Sequence, residues 1–171
     1  SVLSLKEIKN LFPDPDIDLA NAAEEAGNIY FGYTFFPQPS KKMDVKKRTQ
    51  EKEIRLKLLE DKKFFRKIVP SEYESINDFY DIDPPVDELI QSSKGTYFFQ
   101  TVAEPDGISR RYPLIGKYED KLFPNAGLAL ALDHYDVSFN DVLIIPGKFL
   151  SIPLSSQDEH GRTAVEIPID K

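Results

Sequence analysis

The stretch that most restricts how this chain can fold is residues 125–154, NAGLALALDHYDVSFNDVLIIPGKFLSIPL, its longest nearly uncharged, apolar run. So much contiguous apolar surface is driven out of water and belongs at the centre of a core. Leu128, Leu130 and Leu132 alternate with Ala129 and Ala131. Val142 to Ile145 form a solid apolar run stopped by Pro146-Gly147, and Phe149, Leu150 and Ile152 follow before Pro153. Alternation, short continuous apolar runs and Pro/Gly punctuation read as strands. On that reading Asp133-His134-Tyr135-Asp136 is a solvated corner joining two of them.

The chain around this stretch can close over it without cross-links. Its 171 residues, with 12 Phe and 8 Tyr, suffice for one domain with a substantial core. A single domain over 1–171 is therefore expected, with residues 70–85 as a possible hinge. There is no cysteine, which excludes disulfides, thiolate metal sites and cysteine nucleophiles. No segment has the length and apolarity of a membrane span, and the first residues lack the basic-then-apolar order of a secretion signal. A soluble protein is expected, cytoplasmic or within an assembled particle.

Charge is unevenly placed. The net charge is −7, yet residues 41–67 hold 12 basic against 5 acidic side chains, a net of +7 that leaves −14 on the rest. A basic segment on an acidic body bears on association rather than on fold.

Taken in order, Ser4-Leu5-Lys6-Glu7 is a capping box opening a short helix that Pro13 ends. A second helix follows, with Asp16 or Asp18 as N-cap and Gly27 as C-cap. Residues 28–36, NIYFGYTFF, read as a strand covered on both sides, although aromatics this dense also suit a stacking surface for bases or sugars. Residues 53–59 are ambiguous. Ile54, Leu56 and Leu58 alternate as in a strand, while Ile54, Leu58, Phe65 and Val69 share one helical face. The strand is preferred, turned at 60–63 into a second strand over 64–69. Residues 71–80 fit a short helix, and 83–95 a better one, capped by Asp83 and ended by Gly95. Residues 96–103 and 108–115 flank Glu104-Pro105-Asp106-Gly107 as a hairpin, and 163–169 alternate as a final edge strand.

Candidate chemistry is sparse. Asp133, His134 and Asp136 could orient an imidazole as general base or hold a metal, and would then make this a hydrolase or metal-dependent enzyme. A polar turn is the commoner meaning of that pattern. Only His160 remains elsewhere, so a three-histidine zinc site is excluded. The eight glycines are scattered singly, with neither a dinucleotide fingerprint nor a P-loop. Asp14, Asp16 and Asp18 lack the glycine that a calcium loop needs and serve better as caps. Lys41, Lys42, Lys46, Lys47 and Arg48 form the strongest partner-binding candidate, able to meet phosphates or an acidic protein surface.

Residues 140–153, NDVLIIPGKFLSIP, resemble the closing strand of LysM modules, which bind peptidoglycan or chitin and occur in phage tail baseplates. The shared ending is Pro146-Gly147 followed by Leu150, Ile152 and Pro153. The opening element of such modules is missing upstream, where Tyr112-Pro-Leu-Ile-Gly-Lys117 stands, so no glycan-site residue carries over and no family is assigned.

These readings combine into an α+β domain, a mainly antiparallel and partly rolled sheet flanked by short helices within 4–26 and 71–93. The expected role is non-catalytic: a protein-interaction or assembly component, self-assembly included, that needs no cofactor and no metal. Nucleic-acid binding through residues 41–48 is the alternative, with the Asp133, His134 and Asp136 enzyme as a third.

Overall fold

The computed structural model describes residues 14–37, 45–74, 76, 78–100, 106–108, 112–157 and 159–169. The helix expected from Ser4 and the turn at 104–105 lie outside them. The fold is α+β. Helix α1 (Pro15–Ala26) leads to β1 (Tyr30–Phe36), α2 (Val45–Asp61), β2 (Arg66–Lys67), a 3-10 turn (Pro70–Tyr73), β3 (Asp81–Asp83) and α3 (Asp87–Ser92). Then come β4 (Gly95–Phe98), β5 (Ile115–Tyr118), β6 (Lys121–Pro124), α4 (Ala126–His134), a 3-10 turn (Phe139–Asp141), β7 (Leu143–Ile145), β8 (Phe149–Pro153) and β9 (Ala164–Pro168).

The strands are divided among three small sheets, β3-β1-β4, β2-β6-β5 and β7-β8-β9. All pairs are antiparallel except β1 with β4, which run parallel with Tyr30 opposite Gly95 and Gly32 opposite Tyr97. The middle sheet has a core on each face. Phe123 and Tyr118 point into one with Tyr33, Phe35, Phe79 and Phe98, while Leu122 and Ile115 point into the other with Leu128, Leu132, Leu150 and Ile152. The one-residue alternation of Leu122 and Phe123 thus serves both cores. Gly116 is required on the aromatic side, because a Cβ there would sit 2.7 Å from the Phe35 ring and 3.1 Å from Phe79.

Several expectations are corrected. The Leu/Ala alternation at 128–132 is the helix α4. Asn125 caps it, accepting from Leu128 N at 2.7 Å, and Ala and Leu are strong helix formers. Alternation of Leu with a residue as small as Ala does not distinguish the two periods, since Leu128 and Leu132 also lie one turn apart and both are buried. Asp133 and His134 therefore lie in the last turn of α4, and the corner falls at Tyr135-Asp136, with Asp136 in the left-handed region at φ 53.

Residues 53–59 likewise belong to a helix, α2, which runs 17 residues without Gly or Pro. Leu59 is fully buried and Leu56 and Leu58 pack against the aromatic core, while Ile54 stays exposed. Ion pairs tie α2 to its neighbours, Lys52 to Asp81 at 2.6 Å and Arg55 to Asp87 at 3.1 Å. The second strand expected at 64–69 is confined to Arg66–Lys67.

Between 70 and 95 the helices are shorter than expected. Among the described residues of 71–80, the helical part is the 3-10 turn that ends at Tyr73. Asp83 lies in β3, and α3 starts after Val86 and ends at Ser92 with Ser93 as its C-cap, leaving Gly95 to open β4. No hairpin joins 96–103 to 108–115 among the described residues: β4 pairs with β1, and β5 turns back on β6 through Glu119-Asp120. Asp14 rather than Asp16 or Asp18 caps α1, whereas Gly27 is its left-handed C-cap at φ 67. The strands expected at 28–36, 142–145, 149–152 and 163–169 are present as β1, β7, β8 and β9.

Beyond β4, Gln100 continues the pairing with β1 by its side chain. Its amide donates from Nε2 to Phe35 O at 2.5 Å and accepts from Phe35 N. Gln100→Ala leaves both backbone groups of a fully buried residue unpaired and is expected to cost about 2 kcal/mol. Equilibrium urea unfolding checks this, with Gln100→Glu expected to fail as a substitute because it cannot donate.

Candidate interaction surface

The sheet β3-β1-β4 buries Tyr33, Phe35 and Phe98 on its inner face. Its outer face carries the alternate residues, Tyr30 and Gly32 from β1, Gly95 and Tyr97 from β4, and Phe99 just beyond. The two glycines let rings lie down on the sheet. A Cβ at Gly95 would meet Tyr30 Cε1 at 2.6 Å, and one at Gly32 would meet Phe99 Cε1 at 2.5 Å. Tyr30 stacks on Tyr97 with centroids 6.2 Å apart, and Tyr97 meets Phe99 edge-on at 6.5 Å. Tyr112 joins them, its hydroxyl pKa raised by burial and by the nearby Tyr97. Phe99 is 58% exposed and Tyr112 41%. The three rings in contact, with Phe99 largely open to water and Tyr112 near Tyr97, form an apolar face of the kind that marks contact sites.

The Tyr30 ring leads from this face to a cleft of about 240 Å³. Lys62 and Lys63, at the end of α2, stand on its rim with Lys94, which pairs with Asp133 at 2.7 Å. Lys63 is held in the left-handed region at φ 58. Lys62 Nζ donates to Gln91 O at 2.6 Å, a neutral carbonyl, and has no carboxylate in ion-pair range among the described residues. The Thr96 hydroxyl in the lining is buried without a hydrogen-bond partner among the described residues, whereas the buried Tyr30 hydroxyl is directed at the Asp133 carboxylate. Burial pushes the Tyr30 pKa up to about 12, with the nearby Asp133 carboxylate adding to the rise. Lys94 holds the Asp133 carboxyl below the usual carboxylate range, aided by the proximity of the Tyr30 hydroxyl.

Of the residues proposed from the sequence, Lys41 and Lys42 lie outside the described residues. Lys46, Lys47 and Arg48 fall in the first turn of α2, which contains no acidic residue. Asp133 lines the cleft, but His134 and Asp136 do not. His134 is exposed in the last turn of α4 with its ring against Tyr135 at 5.0 Å. No group of three or more His, Asp or Glu among the described residues is placed to hold a metal ion. Among the same residues, no helix is long and apolar enough to cross a membrane.

The strand expected to be covered on both sides is covered on the Tyr33 and Phe35 side but leaves Gly32 and Thr34 exposed on the other; that Tyr97 and Phe99 would lie beside Tyr30 was not legible in the sequence, because the parallel pairing joins Tyr30 to Gly95. No family model matches the chain, and neither a curated protein nor a solved structure matches it.

Proposed function

We propose that this protein is a non-catalytic interaction component of a larger assembly, docking a basic protein partner on the face made by Tyr30, Tyr97, Phe99 and Tyr112. The observation that carries this reading is the exposure of Phe99 beside Tyr97 over a floor of glycine. Aromatic side chains supply much of the binding energy of protein interfaces. The face belongs to strands outside residues 41–67, the part of the chain with a net charge of −14. A partner bearing Arg or Lys around an apolar contact is complementary to it, with guanidinium groups able to stack on the tyrosines.

The test is affinity capture from the native source with wild-type protein and Phe99→Ser in parallel. Because Phe99 is exposed, the variant should fold normally. It should bind the captured partner about tenfold more weakly, as befits an interface anchor. Equal capture by both proteins would refute the reading.

A second reading rests on the first turn of α2. Lys46, Lys47 and Arg48 fall in the first turn of α2, at the positive end of the helix dipole and in a turn that contains no acidic residue, which suits the phosphates of a nucleic acid. It requires binding that falls steeply with salt and is lost when all three become Glu; salt-independent binding rules it out.

A further inference from the structure

We propose that the cleft between α2, β4 and α4 is a binding site for a small organic oxyanion, a carboxylate or phosphate carried on an apolar or aromatic group. The charge balance is the first argument. Lys62, Lys63 and Lys94 surround the cleft against one carboxylate, Asp133, so it holds an excess of two positive charges in a protein whose net charge is −7. Lys94 is the paired member, and among the described residues neither Lys62 nor Lys63 has a carboxylate in ion-pair range. An anion is therefore attracted here by an acidic protein, where close cations focus the local field.

The walls give the second argument. Behind the lysines, Phe64 and Phe139 line the cleft, and Thr96, only 2% exposed, has a hydroxyl with no partner among the described residues. A buried hydroxyl left unpaired is a cost to the fold that an entering oxygen can relieve. A volume of about 240 Å³ lies below the usual range for drug-sized ligands and accommodates a ring with one head group. The left-handed backbone of Lys63 is the third argument. A non-glycine residue at φ 58 is uncommon, and here it turns the chain immediately after α2, with Phe64 N bonded back to Leu59 O at 2.9 Å. That turn delivers Lys62, Lys63 and Phe64 to one opening. This site shares Tyr30 with the docking face but is built from other residues, and its test does not depend on any protein partner.

The full chain is titrated with phenyl phosphate, benzoate and inorganic phosphate while backbone amide resonances are followed by NMR. Saturable shifts centred on Lys62, Lys63, Lys94 and Thr96 are expected with one of the two aromatic probes, and which of them binds identifies the head group. Lys63→Glu should weaken that probe at least tenfold. Lys148→Glu, the same charge change at an exposed lysine outside the cleft, should alter it less than twofold. The proposal is overturned by absent or non-saturable shifts, by equal losses in the two variants, or by inorganic phosphate binding as tightly as the better aromatic probe.

Discussion

Replacing Phe35 with alanine is expected to remove about 4 kcal/mol from the folding free energy, within the range measured for truncating buried aromatics. Phe35 is completely buried at the centre of the first core. Its ring stacks on Phe79 at 4.4 Å and 9°, and meets Phe98, Phe123 and Tyr33 edge-on at 5.2, 5.5 and 5.5 Å. Four favourable ring geometries are lost together with the transferred area, and the surrounding rings are too rigid to close the hole. Phe35→Leu keeps most of the volume and should cost less than half as much. Equilibrium urea unfolding of the two variants measures both. A loss below about 2 kcal/mol for the alanine variant would mean that the cluster collapses around the gap, and that the first core is looser than this packing implies.

The elements legible in the sequence are those whose signal is local and unambiguous. β7 and β8 read correctly because β-branched and leucine residues meet at Pro146-Gly147, where Gly147 supplies φ 72. β9 reads from strict alternation, and the end of α1 from Gly27. The errors fall where one pattern fits two periods. In α2, Ile54, Leu56 and Leu58 mimic a strand, yet the i, i+3 relation of Leu56 and Leu59 and an unbroken run of helix formers decide the outcome. The β5-β6 hairpin escaped notice because its turn, Glu119-Asp120, lacks glycine and proline although Glu119 adopts φ 53.

The candidate site was legible only in part, for a related reason. Tyr30 could be singled out within an aromatic strand, but the side of the sheet it occupies depends on register. Tyr33 and Phe35 turn to the core while Tyr30 turns outward, to rings delivered by a parallel partner that follows two helices and two further strands. Lysines 62, 63 and 94 likewise converge through tertiary contacts between α2 and the start of β4. By contrast, a pattern read from adjacency alone, Asp133-His134-Tyr135-Asp136, is dispersed by the helix geometry, which sends only its first carboxylate to the cleft.

The other large effect is expected at Asn125, a fully buried polar residue whose amide joins two parts of the second half of the chain. Its Oδ1 accepts from Leu128 N at 2.7 Å as the cap of α4, and its Nδ2 donates to Pro113 O at 2.8 Å, while its backbone N donates to Leu114 O at 2.9 Å. Asn125→Ala removes a cap worth about 1 kcal/mol and leaves the Pro113 carbonyl unpaired at a cost of roughly 1–3 kcal/mol, so about 3 kcal/mol is expected in total. Asn125→Asp separates the two roles. The carboxylate still accepts from Leu128 N but places negative oxygen against the Pro113 carbonyl in a site closed to water, which raises the folded pKa of the introduced Asp above its unfolded value of about 4. The folded state then binds more protons than the unfolded state between those two pKa values. The Asp variant should therefore be weakest at neutral pH and recover relative to wild type as pH falls through its folded pKa, where the protonated carboxyl regains a donor for Pro113 O. Urea unfolding of both proteins from pH 8 to pH 4 reads this difference directly. A gap that stays constant over that range would show that the Nδ2 donor contributes little, and that capping alone accounts for the residue.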